Sequence, residues 1–546
     1  MTKTILAAAL GDCVHVAGLV HFLRLAEDEG YRTIMLGPAI AIPELIGAII
    51  ETDPDIVAIS YRLTPETAQR LFKELHDAIK EAGLGGRRYI FGGTLPVCRV
   101  AERAGIFEAI FSGHSNVDEV IAYLRGEQRE HRRERWPDNL VDRIESKYPH
   151  PIIRHHFGLP SMEDTVAGIR KIAEAGVLDV ISLGPDQNAQ GSFFRPEEMD
   201  HSQDGAGGVP VRSPDDFRRL YSASRCGNYP LLRCYSGTRD LLKMASLLVD
   251  TIHNAWSAVP LCWYNDLDGR GKRPLTEAIR ENQEVMRWHG EQGIPVEVNE
   301  AHHWSLREAH DTIAVAMAFL AAYNAKAMGV RHYVAQYMFN NPPGTSFAMD
   351  LAKMLAKIEF IESLHDGTFT TYRQTRAGLA SFPADMDVAK GQLASSVLLQ
   401  MAVKPHIVHV VSFSEADHAA TAEDVMESCK IARGVIRNCL YGVPDLTLDP
   451  RVQRRKAELM EEVEVLLEAL AELGRGSEDP WTDPEVLTRA IKIGLLDASH
   501  FRSNPNARGL LETKIVDGAC VAWDAERKRR LTEKERIDRL WSEVQD

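Results

Sequence analysis

Three residues near the amino terminus, Asp12, His15 and Gly18, have types and a spacing that suit metal binding. They follow an apolar run over 5–10 that predicts a buried strand, and a helical pattern opens at Gly18. Ligands of open α/β sheets bind at the carboxyl ends of the strands. A neutral imidazole there can ligate a metal, and a glycine lets a ligand come close to the backbone. His15 is therefore a candidate metal ligand, with an ordinary loop histidine as the alternative.

Small residues end three later apolar runs. Ser60 ends one run, Gly92 and Gly93 end the next, and Gly113 follows a third. Bulky side chains at these neighbouring strand ends would close the space beside the histidine, whereas small ones leave a slot. A slot that begins at a metal-ligating histidine suits a metal cofactor with a long tail.

Alternating strand and helix patterns must position these residues. Between the apolar runs lie helical patterns, the clearest over 66–82, where apolar residues recur on one face. Five strand–helix units predict an α/β, doubly wound, flavodoxin-like domain over 1–125. The predicted strands are 4–10, 33–36, 56–60, 89–92 and 109–112.

Together these residues resemble the cobalamin-binding domain of B12-dependent mutases and methionine synthase. That family carries Asp-x-His-x-x-Gly after strand one, Ser-x-Leu after strand three and Gly-Gly after strand four. Here two residues, not one, separate Asp12 from His15, so the motif departs from the family pattern at this spacing. In the family the aspartate orients the imidazole, and the longer spacing affects that role of Asp12. The resemblance implies that His15 is the lower ligand of cobalt. It also implies a cofactor site formed by Asp12, His15, Gly18, Ser60, Leu63, Gly92, Gly93 and Gly113.

The composition changes sharply after the first domain. The segment 126–150 is rich in charge and is expected to be a solvated linker. Eight further apolar runs alternate with helical patterns and predict a (β/α)8 TIM barrel over 151–440. A helical, charged remainder over 441–546 is expected to wrap the barrel or to form a dimer element. The predicted barrel strands are 152–155, 179–183, 231–235, 261–264, 295–299, 332–337, 368–373 and 406–411.

Polar and aromatic residues follow the predicted barrel strands, which is where barrel active sites lie. Few of them are carboxylates. The candidates are His155, His156, Asp186, Gln187, Tyr235, Tyr264, Asn265, Glu300, His302, Gln336, Tyr372, Arg373 and Glu415.

The barrel region resembles the large subunit of glutamate mutase over most of 155–520. The resemblance implies that Glu415 hydrogen-bonds the ribose of an adenosyl group and that Tyr264 lies near the substrate. The matching segments are 235–240, 264–265, 382–385, 490–497 and 506–509, together with Glu415.

The departures from that family concern substrate recognition. Its arginines clamp two substrate carboxylates, because a guanidinium binds a carboxylate through two hydrogen bonds. Here Gly-Pro-Asp-Gln over 184–187 and Tyr235 stand at the corresponding strand ends. Glutamate is therefore not the expected substrate. Four arginines are left as candidates to hold one carboxylate: Arg233, Arg239, Arg270 and Arg373.

The resemblance predicts an adenosylcobalamin-dependent isomerase, a carbon-skeleton mutase that acts on a small amino or carboxylic acid. Tyr235, Tyr264 and Glu415 are its candidate catalytic residues. Two alternatives stay open. One is a cobalamin-dependent aminomutase, which would need pyridoxal phosphate and a lysine such as Lys272. The other is a corrinoid-binding protein without isomerase activity.

The composition of the chain limits the kinds of partner that it is expected to bind. The 546 residues carry a net charge of −15, which disfavours nucleic acid and anionic membranes as partners. The eight cysteines are scattered without a CxxC pair, so no zinc site is indicated. We see no signal pattern and no membrane-spanning run, and expect a cytoplasmic homodimer that binds a small-molecule substrate.

Overall fold

The computed structural model describes residues 3–112, 117–124 and 136–545. The chain divides into two compact units, Met1–Arg135 and Trp136–Asp546. In the first unit the strands are β1 (Thr4–Leu10), β2 (Arg32–Ile40), β3 (Ile56–Tyr61), β4 (Arg88–Gly93) and β5 (Ala109–Ser112). The helices are α1 (Ala17–Asp28), α2 (Ile42–Thr52), α3 (Pro65–Glu81), α4 (Leu95–Ala104) and α5 (Val117–Leu124).

The strands of the first unit form a parallel sheet in the order β2-β1-β3-β4-β5. This is the flavodoxin-like order, so the predicted fold class is confirmed. Alternate residues of each strand pack on opposite faces. One face, with Ile5 and Ala58, packs against α1 and α5, and the other, with Leu6 and Val57, is covered by the remaining helices.

The second unit contains eight parallel strands in the order β8-β7-β6-β13-β12-β11-β10-β9. They are β6 (Ile152–Phe157), β7 (Val180–Leu183), β8 (Leu231–Cys234), β9 (Ser257–Val259), β10 (Val296–Val298), β11 (His332–Phe339), β12 (Thr370–Ala377) and β13 (Ile407–Val410). The ends of this sheet meet where the Ala255 N–H donates to the Leu232 carbonyl at 2.9 Å and the Ser236 N–H to the Ala258 carbonyl at 3.4 Å. The sheet is thus a nearly closed barrel, as predicted.

Helices surround the barrel, and all of them except α6 follow one of its strands. They are α6 (Leu140–Lys147), α7 (Met162–Ala175), α8 (Gln187–Ser192), α9 (Pro214–Ala223), α10 (Leu241–Ile252), α11 (Leu275–Glu291), α12 (Glu300–His303), α13 (Asp311–Ala327), α14 (Phe347–Glu362), α15 (Met386–Met401) and α16 (Ala422–Tyr441). None of the helices in the described parts of the chain is both long enough and apolar enough to cross a membrane.

Helix α6 closes the amino-terminal end of the barrel. Its Leu140 and Ile144 are buried in one apolar cluster with Trp256 and the first residues of several strands. Between them Arg143, also buried, donates to the carbonyls of Pro137 and Tyr229 at 2.8 and 2.9 Å. The expected linker over 126–150 therefore includes a helix that is part of the barrel unit.

The carboxyl-terminal extension packs on the barrel helices. It contains α17 (Pro450–Leu473), α18 (Pro484–Ile493) and α19 (Glu533–Gln545), with a small antiparallel sheet of β14 (Thr513–Val516), β15 (Ala519–Asp524) and β16 (Arg529–Arg530). Apolar residues of α17, among them Leu459 and Val463, join the same core cluster as those of α13 and α14. The extension thus wraps its own barrel.

Two barrel strands differ from the prediction in ways that move candidate residues. The fourth strand is Ser257–Val259, so the apolar run 261–264 is a buried loop that follows the strand. The seventh strand extends to Ala377, four residues beyond its predicted end.

Candidate functional site

The loop that joins β1 to α1 presents His15 at the carboxyl edge of the first sheet. Cys13 fixes this loop: its side chain is fully buried, its N–H donates to the Leu10 carbonyl at 3.2 Å and its carbonyl accepts from Ala39 at 3.0 Å. The next two residues, Val14 and His15, consequently face outward and are exposed. An exposed imidazole at the edge of a parallel sheet is available to a metal held there.

Asp12 and His15 are not brought together. Both side chains are exposed, and within the described ranges neither hydrogen-bonds to the other. The longer spacing between them is the sequence feature that accompanies this separation. In this structure Asp12 therefore does not orient the imidazole through a hydrogen bond.

A row of small residues lies beside this loop on one face of the sheet. Backbone pairing aligns Ala9 with Ser60, and Ser60 with Gly92. Side chains aligned in this way point to the same face, here the face that packs against α1 and α5. A Cβ on Gly92 would meet only the Phe111 carbonyl oxygen, at 3.9 Å, and one on Gly18 in α1 would meet nothing within 4 Å. The row therefore leaves space at the carboxyl end of this face.

The hydroxyl of Ser60 supports the use of that space by a polar group. Its Oγ is buried and has no hydrogen-bond partner among the described residues. A buried hydroxyl without a partner is disfavoured, so a ligand that hydrogen-bonds it would remove the penalty. The residues present therefore fit the long polar tail expected beside them.

Gly93 has a different role from Gly92. A Cβ on Gly93 would lie 2.7 Å from the Tyr61 carbonyl oxygen and from the Phe91 ring. This glycine is therefore required by the packing of β3 against β4. Gly113, the remaining glycine of the expected site, lies outside the described residues.

Apolar side chains surround the same edge. Val14 is 64% exposed, Leu63 38% and Leu95 46%, and they follow β1, β3 and β4 respectively. Exposed apolar groups near one another mark a contact surface for an apolar partner or ligand. The edge thus combines an exposed imidazole, apolar side chains and a slot.

The interior of the barrel in the second unit is polar, and Glu297 of β10 is at its centre. Burial opposes the charge of Glu297, but Arg233 and Arg154 outweigh it, so its pKa is lowered. The side chain is fully buried. It accepts hydrogen bonds from Arg233 at 2.9 Å, Arg154 at 3.2 Å, Trp256 at 2.6 Å, Gln374 at 3.1 Å and Gln336.

Tyr235 lies above this network at the carboxyl end of β8. Its hydroxyl is 3.0 Å from His156 Nε2, and the two rings stack with centroids 5.3 Å apart. Arg154 donates to the same Nε2 at 3.1 Å. Because a guanidinium only donates, this nitrogen is an acceptor and the tyrosine hydroxyl also donates to it. Burial and the neighbouring Arg154 lower the pKa of His156 well below its ordinary value, so the imidazole is neutral.

The loop after β9 positions Tyr264. The residue has a left-handed backbone with φ of 65°, and its N–H donates to Asp268 at 3.2 Å. The Arg270 guanidinium lies 5.2 Å from the ring centroid. Two residues of the extension hold the same loop, since the side-chain amides of Asn504 and Asn506 donate to the Leu267 and Asp266 carbonyls at 2.6 and 3.0 Å.

Burial raises the pKa of Tyr264, and the nearby Tyr235 raises it further. The phenol is therefore protonated at neutral pH. Both tyrosines follow neighbouring strands, Tyr235 after β8 and Tyr264 after β9, and so lie at the carboxyl end of the barrel.

Glu415 is exposed on the loop after β13, at the same end of the barrel. Partial burial of its carboxyl raises the pKa, and the positive charge of Arg376 opposes this shift. The structure therefore brings Tyr235, Tyr264 and Glu415 to one end of the barrel, with Arg376 near them.

Arg376 is a residue of this site that the sequence analysis did not identify. It lies in the part of β12 beyond the predicted strand end. Pairing aligns it with His409 of β13, and Gln374, two residues earlier, contacts the central glutamate. Because alternate residues of a strand share a face, Arg376 also points into the barrel. The sequence analysis missed Arg376 because it placed the end of the strand too early. The last residues of the strand are polar, and a polar run does not indicate a buried strand.

Several predicted barrel candidates lie elsewhere. Tyr372 packs with α6 at the amino-terminal end, and Arg373 pairs with Glu362 at 2.6 Å, so both are wrong as residues of the open end. Asp186 is buried, caps α8 and pairs with Arg212 at 2.5 Å. Their roles are structural.

Other candidates support the loops of the site. Glu300 accepts from the Leu261 and Cys262 N–H groups at 3.0 and 3.2 Å, and Asn265 accepts from Leu267 at 2.8 Å. Among the residues that the structure describes, no three His, Cys, Asp or Glu side chains are grouped to hold a metal ion.

Comparison with known proteins agrees with the geometry of the first unit. Residues 3–121 match the family described as the B12 binding domain. The sigma subunit 1 of glutamate mutase from Haloarcula marismortui is 26% identical over 132 residues, which cover 23% of this chain and 85% of that protein.

Two solved structures are also similar to parts of the chain. A cobalamin-binding protein from Desulfitobacterium hafniense is 27% identical with a TM-score of 0.20, covering 22% of this chain and 58% of that one. A rubisco-like protein from Alicyclobacillus acidocaldarius is 14% identical with a TM-score of 0.33, covering 59% of this chain and 71% of that one. The N-terminal region of this chain is a B12-binding domain homologous to the sigma subunit of glutamate mutase.

Proposed function

We propose that the protein is an adenosylcobalamin-dependent isomerase that rearranges the carbon skeleton of a small amino or carboxylic acid other than glutamate. The observation that carries this proposal is the joining, in one chain, of a B12-binding domain to a barrel whose open end collects Tyr235, Tyr264 and Glu415. A polar barrel interior that α6 closes at the amino-terminal end suits a reaction that must exclude water and other quenchers.

In the first unit, His15 would be the lower ligand of cobalt. Its exposure at the sheet edge supports this role. Ser60 and Gly92 would line the slot for the nucleotide tail, with the unpartnered hydroxyl as a hydrogen-bonding group. The apolar Val14 and Leu63 would contact the corrin ring.

When bound, adenosylcobalamin supplies the radical that removes a hydrogen atom from the substrate, through homolysis of its cobalt–carbon bond. The barrel residues bind and orient. Tyr264, which is protonated, would donate a hydrogen bond to substrate, and Tyr235, whose hydroxyl donates to His156, would accept one from it. Glu415 would accept a hydrogen bond from the ribose of the adenosyl group, as its resemblance to the glutamate mutase residue implies.

The lower ligand can be tested by reconstituting the full chain with cobalamin and recording the electron paramagnetic resonance spectrum of the cob(II)alamin form. Nitrogen-15 labelling of the histidines should change the hyperfine pattern from that of one ¹⁴N ligand to that of one ¹⁵N ligand. His15→Ala should abolish this effect, while His21→Ala, at an exposed histidine of α1, should not. Unchanged cobalamin spectra in His15→Ala would show that another group is the ligand.

The activity can be tested by anaerobic electron paramagnetic resonance with adenosylcobalamin and a panel of amino, hydroxy and simple carboxylic acids. A coupled cob(II)alamin–organic radical signal with one compound would establish the reaction class and name the substrate. Corrinoid uptake with no radical signal for any compound would favour a corrinoid-binding protein without isomerase activity. Failure to bind any corrinoid would refute the proposal.

The aminomutase alternative needs a lysine that can form an imine. Lys272, the barrel lysine considered from the sequence, is exposed, as are Lys3, Lys73 and Lys80 of the first unit. An absorbance band of an internal aldimine after addition of pyridoxal phosphate would revive this alternative. We also propose a homodimer, which sedimentation equilibrium of the full chain would test.

A further inference from the structure

The charged groups inside the barrel do not balance. Three guanidinium groups, those of Arg154, Arg233 and Arg376, are buried there. Among the described residues, Glu297 is the only carboxylate that forms ion pairs with them, at 3.2 Å to Arg154 and 2.9 Å to Arg233. The excess of positive charge is visible in Arg154, whose pKa is lowered to about 9 by burial and by the nearby Arg233.

Arg376 is the cation without a counter-ion. Its side chain is only 8% exposed. It donates from Nε to the Ala377 carbonyl at 3.3 Å, and in the described ranges no carboxylate lies within ion-pair distance of its terminal nitrogens. A buried charge is costly unless it is paired and hydrogen-bonded. The two Nη atoms therefore present an unused pair of donors inside the barrel.

The groups around Arg376 do not supply the missing negative charge. Burial lowers the pKa of His302, His303 and His409 well below the ordinary value, so these rings are neutral. Tyr235 donates its hydroxyl to His156. Glu415 interacts with Arg376 only at longer range, from the exposed rim.

The other arginines considered from the sequence are engaged or exposed. Arg233 has its charge paired with the central glutamate through Nη2, although its Nε and Nη1 have no partner among the described residues. Arg239 pairs with Glu198 at 2.5 Å, and Arg373 pairs with Glu362 at 2.6 Å. Arg270 is exposed above the Tyr264 ring. Arg376 thus combines burial, a position at the open end of the barrel and free terminal donors.

We propose that Arg376 binds a carboxylate of the substrate through its two terminal nitrogens, so that the acid enters the barrel with its carboxylate first. The planar guanidinium matches a carboxylate in shape and can bind both oxygens at once. The rest of the molecule would then lie towards Tyr264 and Glu415. That this acid is the substrate rests on the proposed function. The anion site itself is inferred from the barrel residues alone.

The test is isothermal titration calorimetry of the full chain, without cobalamin, against acetate, propionate, succinate and glutarate, with the corresponding amides as neutral controls. We expect at least one carboxylate to bind and its amide not to bind. Arg376→Gln should weaken that binding by about tenfold or more, the effect of removing a charged hydrogen-bond donor. Arg373→Gln is the matched control, because it removes an arginine of the same strand whose side chain pairs outside the barrel, and it should leave binding unchanged.

Arg376→Lys covers the case in which the glutamine variant does not fold. It keeps the charge but loses the two-point geometry, so the expected result is folded protein with severalfold weaker carboxylate binding. The inference is overturned if no carboxylate in the series binds, if amides bind equally, or if both Arg376 variants bind as the wild type does. Cobalamin uptake is measured on the same preparations: a wild-type protein that takes up cobalamin normally but binds no carboxylate refutes this inference and leaves the proposed function standing.

Discussion

Replacing Glu297 with glutamine should strongly destabilise the barrel unit. Glu297 is fully buried and accepts hydrogen bonds from two guanidinium groups, an indole and two side-chain amides. Glutamine has nearly the same shape, so little cavity is created. It removes the one carboxylate that pairs with Arg154 and Arg233, and its own amide hydrogens face other donors.

The size of the effect follows from the burial of these partners. Removing one member of a buried ion pair costs about 3–5 kcal/mol, because the other member remains buried without compensation. Here two arginines lose their carboxylate, so we expect a loss at the upper end of this range. The surface control is Glu198→Gln, whose partner Arg239 is 37% exposed, and exposed pairs contribute about 0–1 kcal/mol.

Urea unfolding followed by tryptophan fluorescence measures this loss selectively. All eight tryptophans lie in the second unit, so their emission reports on the barrel and not on the B12-binding domain. Adding Arg233→Met to Glu297→Gln should recover part of the lost stability, since one of the unpaired charges is then gone. A loss below about 1 kcal/mol for Glu297→Gln, or no difference from the surface control, would refute the account of the network as a charge-compensated centre.

Three further predictions concern other parts of the chain. Gly93→Ala should destabilise the first unit by about 1–3 kcal/mol, because its Cβ would lie 2.7 Å from the Tyr61 carbonyl oxygen, whereas Gly18→Ala should not; hydrogen exchange of the β3 and β4 peptides distinguishes the two variants. Burial opposes ionisation of Glu533, but Arg536 and His310 outweigh it and lower its pKa to about 2, so its contribution to stability is complete above the unfolded value near 4.3 and is lost as the pH falls towards 2. The free energy of unfolding of Glu533→Gln should therefore fall less steeply with decreasing pH in this interval than that of the wild type, and identical slopes would contradict the assignment. Asn506→Ala should release the loop that holds Tyr264, which hydrogen exchange would detect as faster exchange over 262–268 with no change in the first unit.

The first unit could be predicted closely because its local signals agree with one another. The strands Thr4–Leu10 and Ala109–Ser112 were predicted to the residue, since each is an apolar run that ends at a loop; the first is buried and the second is half-buried. The small residues at the strand ends likewise agreed with one another in predicting a slot. The orientation of Asp12 could not be predicted, because a loop of this length has no periodicity that fixes its side chains.

The barrel could be predicted as a fold but not in its interior. Strand β12 continues through Gln374, Thr375 and Arg376, and its inward side chains are polar: Gln374 donates to Glu297, and Arg376 lies two residues further on. A search for apolar alternation stops before such residues. The fourth strand was misplaced for the complementary reason: the loop over 261–264 is as apolar and buried as a strand. Arg376 was therefore missed and Tyr372 was placed at the wrong end.

The position of helix α6 has a kinetic consequence for any molecule in the barrel. With Leu140, Arg143 and Ile144 buried across the amino-terminal end, the described residues close the barrel there, which leaves the carboxyl end as the opening. A molecule bound by Arg376 must leave by the path along which it arrived, past Tyr235 and Tyr264. Residence time would then be set at that opening. A reactive species inside would have only one direction in which to escape, and a cover over one end would be enough to retain it.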